Sequence, residues 1–378
     1  MILKNGLVMD ETFTLRKCDL QIKDGKIAAV ADALCGNDAL DLKGCFVLPG
    51  FIDSHMHGAM GCIIDDEDPD LQKITRYEAT QGVTSIAIST VCSGFDRLLR
   101  QIDLAVEASQ HPDGARIAAI HAEGPFINPG KKGAMDESFI QAPSCEKLDQ
   151  MIEHSKGLLR LITLAPEMEG ALEVISHAVS RGLTVSMGHT TATYEQALAA
   201  IRAGAAQTTH TFNAMRAYSH REPGILGAAL TNPAVRCEMI CDHTHLHPAV
   251  LQLIYRMKGA EGINIISDSE YGAGLEAEEV VVNGEVRYIR DGVMLLADGT
   301  IAGSASSILR GVQNLIADGI PLEDVSRMAS LNPAKTLKID HLTGSIAVGK
   351  SADLVVLDQH YNVLFTYRDG ECVYRKED

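Results

Sequence analysis

Eight short apolar runs punctuate the middle of this chain, spaced so that a helix fits between most neighbours. They are FIDSHMH (51–57), VTSIAIST (83–90), RIAAIHAE (116–123), LLRLITLAPE (158–167), LTVSMGHT (183–190), AQTTHTFN (206–213), VRCEMICD (235–242) and INIISDS (263–269). Segments with apolar residues at helical spacing separate them, among them LQKITRYEATQG, FDRLLRQIDLAVEASQ, ALEVISHAVSRG and TYEQALAAIRAG. Near-continuous apolar strands alternating with amphipathic helices are what a parallel sheet needs, because helices bury both faces of each strand. Eight such units over about 250 residues fit a (β/α)8 barrel. A doubly wound sheet is the competing arrangement, but no glycine-rich dinucleotide fingerprint follows the first strand. The expected fold class is α/β, a (β/α)8 TIM barrel.

The two ends read differently. ILKNGLVMD, CDLQIKDGKIAAV and GCFVLPG before residue 49, and GSIAVGKSADLVVLD and NVLFTYRDGECVYRKED after residue 340, are alternating stretches broken by Gly, Asn and Asp, as strands and turns are. Chain termini commonly lie close together at a domain surface. Residues 1–48 plus 341–378 are therefore expected to build one small β-sandwich domain flanking a catalytic barrel at 49–340.

Composition narrows the function. A 46% hydrophobic share excludes intrinsic disorder, and no apolar run approaches the roughly 18 residues of a membrane helix. The formal charge of −17 argues against nucleic acid or an anionic membrane as partner. An anionic substrate would need a local cationic pocket. The opening MILKNGLVMDETF lacks the basic and apolar segments of a secretory signal, and nine cysteines without CxxC pairs read as reduced thiols. A cytoplasmic location is expected.

The ionisable residues fall in a pattern. His55 and His57 end the first run, Glu123 the third, His189 the fifth, His210 the sixth, Asp242 the seventh and Asp268 the eighth. In a (β/α)8 barrel the C-terminal strand ends form one rim, where active sites sit. Residues two apart on a strand share a side, so His55 and His57 can face one ion. A lone histidine at a strand end is usually a hydrogen-bonded structural residue, and HxH alone is common. Several independent strand ends bearing imidazole and carboxylate are a divalent-metal donor set. His111, His154, His177, His341 and His360 fall in helices, loops or the terminal region and are assigned structural roles. Asp268 beside such a centre suits a proton shuttle in metal-assisted hydrolysis of an amide or ester-like bond, although it could also cap the following turn. The residues do not reach the substrate.

PGFIDSHMHG (49–58), HAEGPFINPGKKGA (121–134), SMGHTTATY (186–194), THTFNAMRAYSHREPGILGAAL (209–230), GTIAGSASSI (299–308) and TGSIAVGKSADLVVLD (343–358) together resemble the amidohydrolase superfamily. Within it they resemble the N-acetylglucosamine-6-phosphate deacetylase family, along essentially the whole chain. The resemblance implies a main metal site at Glu123, His189 and His210, and a second at His55 and His57, for one or two divalent ions. Zinc is the first candidate, with iron or manganese as alternatives. It implies Asp268 as catalytic acid/base, and Ala134, Met135, Asn213, Ala214, Arg221, His245, Ile301, Ala302 and Gly303 around the substrate. The partner implied is a small-molecule amino-sugar phosphate. A homodimer is implied too, with phosphate ligands reaching across the interface. Arg221, a planar multi-donor cation in an acidic protein, fits a phosphate role.

Three positions depart from the family. Met135 stands where a histidine is common, and methionine cannot donate a hydrogen bond. Asp242-His243-Thr244-His245 replaces Asp-Gly-x-His, and Ser267-Asp268-Ser269 replaces Thr-Asp-Ala. Either a nearby group replaces the donor lost at Met135, with His243 the candidate unless it merely fills space or caps a helix, or the substrate has changed. The leading expectation is deacetylation of N-acetylglucosamine 6-phosphate. The alternatives are another N-acyl substrate such as the galactosamine epimer, a cyclic-amide hydrolase, and an inactive metal-binding relative. Cyclic-amide members of the superfamily often use a carboxylated lysine on the fourth strand, and LLRLITLAPE has no lysine. Loss of the Met135 donor speaks for inactivity, and retention of Asp268 speaks against it.

Overall fold

The computed structural model describes residues 1–282 and 284–377. Its centre is a parallel eight-stranded sheet: β1 (Phe51–Met56), β2 (Val83–Thr90), β3 (Arg116–Glu123), β4 (Leu159–Leu164), β5 (Thr184–Met187), β6 (Gln207–Thr208), β7 (Arg236–Ile240) and β8 (Ile263–Ile266). Neighbours in sequence are neighbours in the sheet. Between β8 and β1 the seam is closed by the Asp268 N–H donating to the His55 carbonyl at 2.9 Å. Each strand is followed by a helix: α1 (Leu71–Thr80), α2 (Phe95–Ser109), α3 (Cys145–His154), α4 (Ala171–Ser180), α5 (Tyr194–Ala203), α6 (Gly224–Thr231), α7 (Pro248–Lys258) and α8 (Ile308–Ala317). The expected barrel is the observed fold.

Local sequence explains the elements. In α2 the residues Leu98, Ile102 and Ala105 recur on one face and are buried, as an amphipathic helix on a sheet requires. α5 starts at a reciprocal capping box between Thr193 and Gln196 and stops at Gly204, whose φ of 112° needs glycine. Such a cap contributes about 1 kcal/mol. β2 and β3 fill their apolar runs and the other strands are shorter than theirs, most of all at β6, where only two of the eight residues in AQTTHTFN pair as strand. The rest turns sharply: His210 has φ 29° and Phe212 φ 81°.

Both termini join one eight-stranded sheet outside the barrel. Residues 354–357 pair antiparallel with 46–49, and 46–49 pair parallel with 2–9. Leu3, Val8, Leu20, Val47, Leu354 and Val356 form its own apolar cluster. The Arg116 guanidinium on β3 reaches the Asp353 carboxylate at 2.8 Å and ties this sheet to the barrel.

One element lies outside the expectations. After β8 the chain forms an antiparallel meander, β9 (Glu279–Val282), β10 (Glu285–Arg290), β11 (Val293–Leu295) and β12 (Ile301–Ser304), before α8. Ile301–Gly303, expected around the substrate, thus lie on a strand. Two further helices, α9 (Leu322–Ala329) and α10 (Leu331–Thr336), precede the terminal sheet. Among the described residues no helix is long and apolar enough to cross a membrane.

Candidate metal centre

The strand ends converge as the pattern implied. Glu123 closes β3, His57 follows β1 directly, and His189, His210 and Asp268 each lie two residues beyond β5, β6 and β8. All are buried. Glu123 is the hub: its Oε1 lies 3.2 Å from His189 Nε2, 3.2 Å from His210 Nε2 and 3.3 Å from His55 Nε2, while Oε2 lies 3.2 Å from His57 Nε2. On the other side, Asp268 Oδ1 is 3.3 Å from His55 Nε2 and 3.6 Å from His57 Nε2. Two sets of three donors result, each with its ligand atoms within 4.8 Å of one another: Glu123, His189 and His210, and His55, His57 and Asp268.

The backbone is strained where these groups are presented. His189, His210 and Asp268 have φ of 47°, 29° and 51°, a region that residues with side chains seldom occupy. Such conformations persist only where the surroundings enforce them, and they cluster at functional sites. Here the enforcement is visible. The Asp268 amide is bound to β1, the His210 N–H donates to Glu238 at 3.0 Å, and the His189 carbonyl accepts the Asn128 N–H at 3.0 Å.

A second layer of groups orients the imidazoles. Glu238, fully buried on β7, accepts His55 Nδ1–H at 3.1 Å and the Gln207 amide at 2.6 Å. A carboxylate can only accept, so His55 turns Nε2 toward Glu123 and Asp268. His189 likewise donates Nδ1–H to the Lys131 carbonyl at 2.7 Å, leaving Nε2 inward. Its Nε2 sits 3.0 Å from His210 Nε2. Beneath His55 lies His121, its ring 4.4 Å away and its two nitrogens on the Ser89 and Thr163 hydroxyls at 2.9 and 2.8 Å.

Charge balance tests the fit of a metal. Burial disfavours charged imidazoles, yet the carboxylates outweigh it: Asp268 and Glu123 push His57 up to about 10, and Glu123, Asp268 and Glu238 hold His55 well above its ordinary value. Burial also opposes ionisation of Glu123 and Asp268. His55, His189 and His210 nevertheless hold Glu123 well below the carboxylate range, and His55, His57 and His210 bring Asp268 to about 2. Burial, then the charge of His55, keeps His121 neutral. The centre therefore demands positive charge, and only protons supply it in the metal-free chain. Inward-facing nitrogens, those of His55 and His189 oriented by outer partners, and a shared carboxylate are what a divalent ion exchanges for those protons. The residues fit the group.

The centre floors a cavity of about 360 Å³. Ala134, Met135, Asn213, Ala214, His245, Ile301, Ala302 and Gly303 line it, together with His57, Glu123, His189, His210 and Asp268. His245 is fixed by donating Nδ1–H to Asp242 at 2.6 Å. Two residues expected around the substrate do not line it. Arg221 is exposed and borders a separate surface hollow with Arg216 and Glu222. His243 turns outward, where its Nε2 meets Asp318 Oδ2 at 2.9 Å, so it does not replace the donor lost at Met135. The motif places both residues along the chain, but the loop conformation decides where their side chains go.

The cavity also holds residues the sequence reading passed over: Lys131, Lys132, Glu270 and Arg287. Glu238 and His121 had a signal, since an ionisable residue inside an otherwise apolar strand needs a partner. Glu270 had a weaker one, two residues past Asp268 and directly after the eighth run.

Comparison with known proteins agrees with this geometry. Residues 46–373 match the profile described as Amidohydrolase family. The N-acetylglucosamine-6-phosphate deacetylase of Vibrio furnissii is 35% identical over 93% of this chain and 89% of its own. The N-acetylgalactosamine-6-phosphate deacetylase of Escherichia coli O157:H7 is 33% identical over 98% of each. The structure of an N-acetyl-D-glucosamine-6-phosphate deacetylase mutant from Mycobacterium smegmatis in complex with N-acetyl-D-glucosamine-6-phosphate superposes with a TM-score of 0.92 at 32% identity over 99% of both chains. Fold, centre and similarity over nearly the full length agree: the chain belongs to the amidohydrolase family, on its N-acetylglucosamine-6-phosphate deacetylase branch.

Proposed function

We propose that this enzyme hydrolyses the N-acetyl group of an amino-sugar 6-phosphate, N-acetylglucosamine 6-phosphate first, giving acetate and glucosamine 6-phosphate. The observation that carries this reading is the placement of Asp268 across one cavity from the Glu123–His189–His210 set. Glu123, His189 and His210 would hold a divalent ion, zinc by preference and iron or manganese as alternatives, which would supply Lewis acidity toward water and the amide carbonyl. Asp268, ionised at neutral pH, accepts the water's proton and returns it to the departing nitrogen. His55 and His57 provide a second ion's donors. Asn213, Ala214 and His245 line the wall toward β6 and β7 and would take the phosphate end.

Residues 49–340 form the catalytic unit in this reading, and 1–48 with 341–378 an accessory one. A cytoplasmic homodimer accords with it, since Arg221 stands outside its own cavity on an exposed segment where a second subunit could use it. A second substrate reading, the galactosamine epimer, is favoured by the altered residues Met135 and Ser269 and by the similarity to a galactosamine-specific relative. Steady-state rates on both N-acetylhexosamine 6-phosphates and their unphosphorylated sugars test the proposal. Hydrolysis of neither phosphate would overturn it.

The same assay tests the position of the missing donor. Met135→His is expected to raise kcat on N-acetylglucosamine 6-phosphate by about tenfold or more, as a restored oxyanion donor would. His243→Ala, which removes only the contact to Asp318, is expected to leave kcat and KM unchanged. A large loss in His243→Ala would return that residue to the site.

A further inference from the structure

The meander after β8 brings one group into the cavity with no apparent structural duty. Arg287, on β10, lines the cavity, and its side chain is only 15% exposed. Among the described residues its Nε is buried without an acceptor, and its nearest carboxylate oxygens there lie beyond hydrogen-bond distance, Glu270 Oε2 at 3.8 Å from Nη1 and Glu285 Oε2 at 3.9 Å from Nε. Buried guanidinium donors without acceptors are rare, because each has given up water and gained nothing in return. Glu270 is held as firmly on its side. Its N–H donates to the Ser304 carbonyl at 2.9 Å, and its side chain lies over Gly303, where any Cβ would fall 2.3 Å from Glu270 Cγ. A glycine at 303, with φ 91°, is therefore what lets this carboxylate reach the cavity wall.

A donor and an acceptor fixed 3.8 Å apart are too distant to satisfy each other. A hydroxyl oxygen fits between them at about 2.8 Å from each, accepting from the guanidinium and donating to the carboxylate. The cavity wall runs from Asn213 and Ala214 after β6, through His245 after β7, to Glu270 after β8. A sugar whose phosphate end rests on the first of these carries its ring along the last. We infer that Arg287 and Glu270 form a two-residue clamp for one ring hydroxyl of the amino sugar, and that this clamp sets which sugar the enzyme accepts. The inference rests on the reading of the reaction proposed above.

The experiment compares wild type with Arg287→Met, Arg287→Lys and Glu270→Gln. The substrates are N-acetylglucosamine 6-phosphate, its 4-epimer and its 3-deoxy and 4-deoxy analogues. Metal content and Tm are measured alongside and are expected to be unchanged. Losing a charge-assisted hydrogen bond costs roughly 10- to 100-fold in kcat/KM. That loss is expected in Arg287→Met on the sugar whose hydroxyl is read. Wild type should handle the deoxy analogue lacking that hydroxyl poorly, and on it the variant should lose nothing further. Arg287→Lys should fall between, and Glu270→Gln should show the same pattern as Arg287→Met. Equal losses on every analogue would overturn the clamp and place Arg287 on the phosphate. Wild-type turnover with no loss in any variant would overturn the clamp while leaving the reaction standing. If wild type hydrolyses none of these compounds, the reading of the reaction falls and the clamp falls with it.

Discussion

Asp268→Asn is expected to keep its metal and its fold and to lose at least about a hundredfold in kcat, the usual worth of a positioned general acid/base. The amide is nearly isosteric and can still present an oxygen to His55 and His57, now 3.3 and 3.6 Å from Oδ1. The strained backbone at φ 51° is pinned by the main-chain bond to His55, which the substitution does not touch. What the amide lacks is a lone pair basic enough to take a proton. KM should therefore move little while kcat collapses, the signature of an interaction made only in the transition state. Elemental analysis separates this from the other role the geometry offers Asp268, that of a ligand in the set with His55 and His57. A variant that loses one equivalent of metal would make it a ligand first. A variant with near-native kcat would remove it from the mechanism.

How much of this was legible before the structure can be judged residue by residue. The barrel was legible because burial on both strand faces writes a run of apolar residues that a surface strand does not show. The centre was legible because strand ends in such a barrel share one rim. Glu123, His189, His210, His55, His57 and Asp268 needed only their place at the end of a run. The side-chain directions of Arg221 and His243 were not legible for the opposite reason. They sit in loops, where neighbours along the chain say little about direction, and a carboxylate on a distant segment, Asp318, captured His243. The meander was passed over although it carried a signal. Asn-Gly at 283–284 and Asp-Gly at 291–292 are sequence signals for two-residue hairpin turns, the first starting at a residue outside the described ones. Gly284, Asp291 and Gly292 have the positive φ such turns require. Arg287 stood between those turns with no motif around it. Its significance comes from burial without a partner, which no sequence pattern reports.

His189→Ala should have the largest effect of all. The Glu123–His189–His210 set offers three protein donors, the minimum for a catalytic ion that keeps a position open to substrate. Removing one also removes the group that fixes the 128–131 segment through its bond to the Lys131 carbonyl. The expected result is loss of one equivalent of metal. Since Lewis-acid catalysis is worth several kcal/mol, kcat should fall by about three orders of magnitude or more. His55→Ala is the informative contrast. It vacates the second set and leaves Glu238, fully buried, without one of its partners. A loss of Tm should therefore accompany any loss of its metal, whereas in His189→Ala the loss of turnover should dominate. Dialysis against a chelator, then return of zinc, iron or manganese one at a time, reads the same centre without mutation. The ion that restores full turnover at one equivalent would occupy the Glu123 set, and further gain at a second equivalent would assign work to His55 and His57. Full metal content and full turnover in His189→Ala would overturn the assignment of the main site.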